Sequence, residues 1–288
     1  MASANREHKD RLFKFIFGNP DNKEWTLSLY NAVNGSDYKN ADDIELTTIE
    51  DVVYMGMKND VSFLVDNVMN MYEHQSNINP NVPMRFLIYA GMLYGKLVET
   101  GGTYHRFSSH LQKAPMPRCV CFYNGTDTVA DQSVLRLRDA FVGAGEPDID
   151  VRVTMLNVNF GRNRALLDSC SPLGEYAWFV ERVRVGQRDG LVLMEAVDSA
   201  LDEMPDNMQI KPFLLANRSE VKMMCLTEYD EAKTIAELRE EEREVVESQY
   251  EALARALHER GRDAELVPAL TDKSVRERLF VEFGIEQL

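Results

Sequence analysis

The chain is short of cysteine, of basic residues and of long apolar runs. Its 288 residues include four cysteines, too few for a disulfide framework. No apolar run approaches the ~18–20 residues that cross a bilayer; the best, residues 86–94, is about half that length. The opening residues, MASANREHKD, contain no apolar stretch, so no secretory signal is expected. A reduced, soluble, cytoplasmic protein with no membrane partner is the expectation. Lys and Arg number 32 against 47 Asp and Glu, a net charge of -15. That balance disfavours broad attraction to nucleic acid or to an anionic membrane.

The charge is uneven. Residues 228–251 hold ten acids against three bases, nearly half of the net charge. The remainder is only mildly acidic, which leaves room for a local basic groove. Hydrophobic residues make up 44% and charged residues 27%, which excludes a collagen-like or wholly disordered chain. The length allows one large domain or two smaller ones. The pattern suggests an α/β (α+β) domain over residues 1–172 and a mostly helical region over 173–288. The second region includes a long acidic helix over 228–260, read as a solvated amphipathic or coiled-coil-like element.

Helical spacing of Leu12, Phe13, Ile16 and Phe17 predicts a helix over residues 7–17, stopped by Gly18-Asn19-Pro20. A second helix is expected over 22–33. Three short strand patterns follow, at 52–57, 61–65 and 68–72. A helix is expected from Pro83 to about Glu99, with proline near its first turn. A buried strand covers 118–123, and two further strands are read at 134–141 and 149–157. From residue 173 the pattern turns helical: 175–185, 190–203, 210–217, about 229–260, and 276–283. An antiparallel meander, a helical crossover and a further strand make a mixed-sheet core.

The chemistry concentrates between Lys58 and Gln75. With Asp66-Asn67 as a two-residue hairpin loop, Val65 pairs with Val68, Phe63 with Asn70 and Val61 with Tyr72. Continued outward, the pairing sets Asp60 opposite Glu73 and Lys58 opposite Gln75. Two carboxylates then stand about 5 Å apart on one face. Such a pair is unfavourable without a compensating charge, and a hard divalent cation supplies it. Met69 and Met71 share the face of Glu73; Val61, Phe63, Val65 and Tyr72 share the other.

Asp60, twelve intervening residues and Glu73-His74-Gln75 resemble the D…ExK signature of the PD-(D/E)XK nucleases, in an ExQ variant. The flanking words HKDRLFKFIFG, LSLYNAVNGSDY, MKNDVSFLV, YEHQSNINPNVPMRFLIY, PRCVCFYNG and VKMMCLTEYDE are similar to the Rpn family of recombination-promoting nucleases, also described as transposases. The resemblance spans roughly residues 8–232. It implies a restriction-endonuclease-like α-β-β-β-α-β core and metal-dependent hydrolysis of DNA phosphodiester bonds. Asp60 and Glu73 would be ligands of Mg²⁺ (or Mn²⁺ or Ca²⁺), with an acid of the first helix, Asp10 ahead of Glu7, completing the site. Gln75 stands where the superfamily has lysine; it can orient water but carries no charge, and Lys58 is a candidate to replace that charge. The competing expectation is a catalytically weak module that keeps the fold and acts by binding nucleic acid or protein.

Other residues have plainer readings beside functional ones. Arg85, in the first turn of its helix, either meets a phosphate there or pairs with a nearby carboxylate. Lys14 is a further candidate DNA contact, or an i,i+4 partner of Asp10. Asp66 belongs to the turn and His74 to the opposite face, as a core histidine. Cys119 and Cys121 read as buried structural thiols, with no second Cys/His pair at zinc spacing. His105 and His110 carry no assignable role. The basic NFGRNR segment reads as a turn or as a nucleic-acid contact. The acidic helix suggests a homo-oligomer formed through the C-terminal helices, or an element that competes with DNA.

Overall fold

The computed structural model describes residues 11–46, 61–65, 67–99, 108–143 and 145–285. Asp60, Lys58, Asp10, Glu7, Asp66 and His105, and the strand expected at 52–57, lie outside the described residues.

The chain begins with α1 (Arg11–Phe17) and α2 (Lys23–Asn34). The break between them is built by side chains: Asn22 Nδ2 donates to Ile16 O at 3.1 Å and Thr26 Oγ1 to Phe17 O at 2.6 Å. These bonds satisfy carbonyls that the end of α1 leaves open. Gly35 closes α2 in the left-handed region, at φ 64°, where glycine has no steric cost.

Among the described residues, six strands form one mixed sheet in the order β1-β2-β3-β4-β6-β5. They are β1 (Glu45–Leu46), β2 (Val61–Val65), β3 (Val68–Gln75), β4 (Met116–Tyr123), β5 (Gln132–Arg136) and β6 (Arg152–Asn157). β2 and β3 pair antiparallel with Val65 opposite Val68, Phe63 opposite Asn70 and Val61 opposite Tyr72, the register expected from the two-residue turn. α3 (Val82–Glu99) then carries the chain across the sheet, and β4 returns parallel to β3. β6 is parallel to β4, and β5 lies antiparallel to β6 at the edge.

The 134–141 segment is not one strand. It leaves the sheet after Arg136 and winds into a 3-10 turn over Leu137–Ala140. Asp150 holds that corner: its carboxylate accepts from Arg136 Nε at 3.0 Å and from the Arg138 amide at 3.1 Å. The Asp150 carboxyl sits below the usual carboxylate range, chiefly through the Arg136 hydrogen bond.

α4 (Arg164–Ser169), α5 (Ser171–Arg188), α6 (Leu193–Glu203) and α7 (Lys211–Ala216) follow. One face of the sheet packs on α1, α2, α5 and α6 through Phe13, Phe17, Phe63, Tyr72, Phe122, Tyr176 and Phe179. The other face packs on α3 through Met69, Met71, Phe86, Tyr89, Cys121 and Tyr123. Both faces are therefore covered, which leaves every residue of β3 after Val68 buried, the polar Asn70, Glu73, His74 and Gln75 included. Each fully buried apolar side chain contributes about 1.5–3 kcal/mol.

The boundary expected at 172/173 does not divide two cores, because α5 and α6 share the core of α1 and the sheet. Two compact units are separated instead at 229/230. The acidic helix, α8, spans Arg218–Glu259 and so starts earlier than the expected residue 228. In the second unit, α9 (Leu266–Thr271), α10 (Lys273–Phe283) and the end of α8 enclose Leu253, Leu257, Ala269, Leu279 and Phe280. Asp272 caps α10, its carboxylate accepting from the Ser274 amide at 2.8 Å. Among the described residues no helix is long and apolar enough to cross a membrane.

Candidate functional site

Alternation along β3 sends successive side chains to opposite faces. Tyr72 and His74 face α1 and α5. His74 stacks on Phe13 at 5.2 Å and its Nε2 lies 2.9 Å from Tyr176 Oη. It is a core histidine, on the side away from Glu73.

Glu73 faces α3 and is wholly buried. A charged group at such a position is held only by compensating partners. Gln75, two residues on and on the same face, donates from Nε2 to Glu73 Oε1 at 2.8 Å. Arg85 Nη2 lies 2.7 Å from the same oxygen. The Asn79-Pro80-Asn81 turn sets up this approach. Asn79 Oδ1 accepts from the Asn81 amide at 2.9 Å, and α3 begins at Val82, so Arg85 emerges from its first turn over the end of β3. Tyr89, one helical turn further along, accepts from Arg85 Nε at 3.3 Å and Nη2 at 3.2 Å. The result is a chain of charge-assisted hydrogen bonds from Tyr89 through Arg85 to Glu73 and Gln75.

The structure thus brings together three of the expected site residues, Glu73, Gln75 and Arg85. The carboxylate reading of Arg85 is realised, and its partner is the candidate metal ligand itself. Lys14 does not join them. It sits on α1, whose apolar side covers the opposite face of the sheet. The proposed ligands Asp60 and Asp10, and Lys58, lie outside the described residues. Tyr89 was missed by sequence reasoning; its i,i+4 spacing from Arg85 was the available signal.

Glu73 supplies an oxygen donor of the kind hard divalent cations take. Among the described residues no group of three His, Cys, Asp or Glu gathers to hold a metal. Cys121 lies beside Glu73 in the sheet register. Burial pushes the nearby Cys119 thiol up to about 12, which keeps it protonated and non-nucleophilic. No protein-family model, no curated protein and no solved structure matches this chain.

Proposed function

We propose that the chain is a metal-dependent DNA endonuclease with a PD-(D/E)XK-like core of the recombination-promoting type. One observation carries the reading: a fully buried carboxylate, Glu73, on the second strand of a hairpin, with Gln75 hydrogen-bonded to it. It stands where the D…ExQ resemblance puts the catalytic acid. The order of hairpin, crossover helix and parallel strand supports the same reading.

In this proposal Glu73 and Asp60, with Asp10, hold Mg²⁺ or Mn²⁺. The ion would lower the pKa of bound water and offset charge on the phosphoryl oxygens. Gln75 orients the water and fixes the Glu73 carboxylate. The charge that lysine gives related motifs comes from Arg85, 2.7 Å from Glu73, in place of the earlier candidate Lys58. A cytoplasmic location and assembly through the C-terminal helices belong to the same proposal.

A specific observation favours a second reading. Arg85 already balances Glu73, so burial of this carboxylate does not itself require a metal. A nuclease-fold binding module without chemistry would be stable with the same contacts.

Nicking of supercoiled plasmid with Mg²⁺, Mn²⁺ or EDTA separates the two. The endonuclease reading expects metal-dependent cleavage that falls at least roughly 100-fold in Asp60→Ala and Glu73→Ala. An inert wild type, or variants that cut as fast, would sink it in favour of the binding module.

A further inference from the structure

Beyond the carboxyl ends of β4 and β6, two loops and α5 enclose a cavity of about 270 Å³. Ligands of open α/β sheets sit at this end of parallel strands. The loop after β4 is pinned at Gly125. A Cβ there would stand 2.1 Å from Ser76 O and 2.4 Å from Tyr123 Oη, so only glycine lets the chain pass so close. The loop after β6 turns at Gly161 and Asn163, with φ of 80° and 38°. It leaves Phe160 54% exposed on the cavity wall, with Arg162 beside it.

Arg184 ties the two loops together from α5. Its Nη1 donates to Asn159 Oδ1 at 2.8 Å and its Nη2 to the Asn124 carbonyl. Both acceptors are neutral, and among the described residues no carboxylate pairs with this guanidinium. Burial holds Arg184 below the usual arginine value. The neighbouring Asn124 side chain is 2% exposed and neither of its polar atoms is hydrogen-bonded. The wall carries Arg162, Arg184 and Arg188 against Asp127 and Glu181. Glu181 is engaged by Arg188 at 2.6 Å. A net cation in a chain of charge -15 is a local exception.

We propose that this cavity holds one nucleotide of a single-stranded DNA segment, its phosphate on Arg162 and Arg184 and its base against Phe160. Guanidinium forks suit phosphate oxygens, and an exposed aromatic ring at a basic groove is a stacking platform for an unpaired base. In a duplex the base face is covered, which selects the single strand. The assignment gives the proposed nuclease a substrate-holding surface and rests on that reading for the choice of DNA.

The test is fluorescence anisotropy of a labelled oligothymidylate of about 10 nucleotides, titrated with the full chain in EDTA and low salt. Wild type should bind saturably. Phe160→Ala should weaken binding roughly tenfold. Arg162→Gln should reduce the salt slope by about 0.7. Both side chains are exposed, so the fold survives the changes. Lys39→Gln, a lysine far along the chain and 79% exposed, should match wild type. Absence of wild-type binding, or wild-type affinity and salt slope in both variants, overturns the proposal. So does equal affinity for a duplex of the same length, or competition by thymidine monophosphate at the oligomer's own concentration. Oligomer binding without plasmid cleavage in Mg²⁺ removes the nuclease reading and keeps the cavity. Cleavage without cavity-dependent binding does the reverse.

Discussion

Tyr72 and His74 leave β3 on one side, Glu73 and Gln75 on the other, and the two sides are closed by different chemistry. On the first, Phe13 of α1 meets His74, Phe122 and Tyr176 at ring separations of 5.2, 5.0 and 5.8 Å. On the second, a single helix lowers one guanidinium onto a carboxylate. The aromatic side is stabilised by buried area and ring geometry. The ionic side stays near neutral in free energy as long as both charges are present, because desolvation offsets the attraction. A strand that alternates between these two environments is anchored by rings on one face and holds a buried ion pair on the other.

The contrast can be broken from either side. The largest effect is expected at the aromatic face. Phe13→Ala should cost about 3–5 kcal/mol, read as a fall in the urea midpoint with an unchanged slope. On the ionic face, Arg85→Ala should cost about 2–3 kcal/mol. That is less than a fully buried pair, because the Arg85 side chain keeps 22% exposure. Adding Glu73→Gln should recover part of the loss, since no uncompensated charge then remains. A coupling energy near zero between these two positions would mean that the pair contributes nothing as a unit.

The smallest effect sharpens the point by moving the same chemistry into solvent. Asp198 on α6 binds Arg218 Nε at 2.8 Å and Lys222 at the start of α8. Its carboxyl lies below the usual range, first through the Lys222 hydrogen bond and then through Arg218. A depressed folded value adds stability that is complete above the unfolded value of 3.8 and is lost as pH falls below it. Asp198→Asn should therefore cost under about 1 kcal/mol at pH 7 and flatten the acid limb of a stability–pH curve. A loss as large as that of Arg85→Ala would show that burial does not separate the two ionic clusters.

Much of this site was legible from the residues. A two-residue turn fixes hairpin register, and a period of two then assigns every side chain to a face. That is why the facing of Met69, Met71, Tyr72 and His74 followed from the sequence. The partner of Arg85 did not, because the crossing of α3 over β3 is a tertiary event that local spacing leaves open. The 134–141 segment misled because its apolar residues continue past Arg136, while the corner is made by Asp150 on the far side of a loop. α4 was too short for periodicity to register. The domain division failed for a related reason: the helices after residue 173 look like a separate class of structure, yet Tyr176 and Phe179 complete the core begun by Phe13. Arg184 gave no signal of its own, since its partners come from two loops distant in sequence.

The placing of β3 between an antiparallel and a parallel neighbour has a consequence for how the chain is made. β2 can zip onto β3 as soon as the turn emerges, whereas Val68 must wait for Met116 to find its parallel mate. Local pairing forms fast and distant pairing slowly. A nascent hairpin therefore spends an interval with one margin of β3 unsatisfied, the condition that invites neighbouring chains to add a strand. In that interval Glu73, awaiting Arg85 and α3, is a bare negative charge amid Val, Met and Tyr, and such a charge discourages intermolecular stacking. The carboxylate that the finished protein buries would then also serve the unfinished one, as a guard against aggregation.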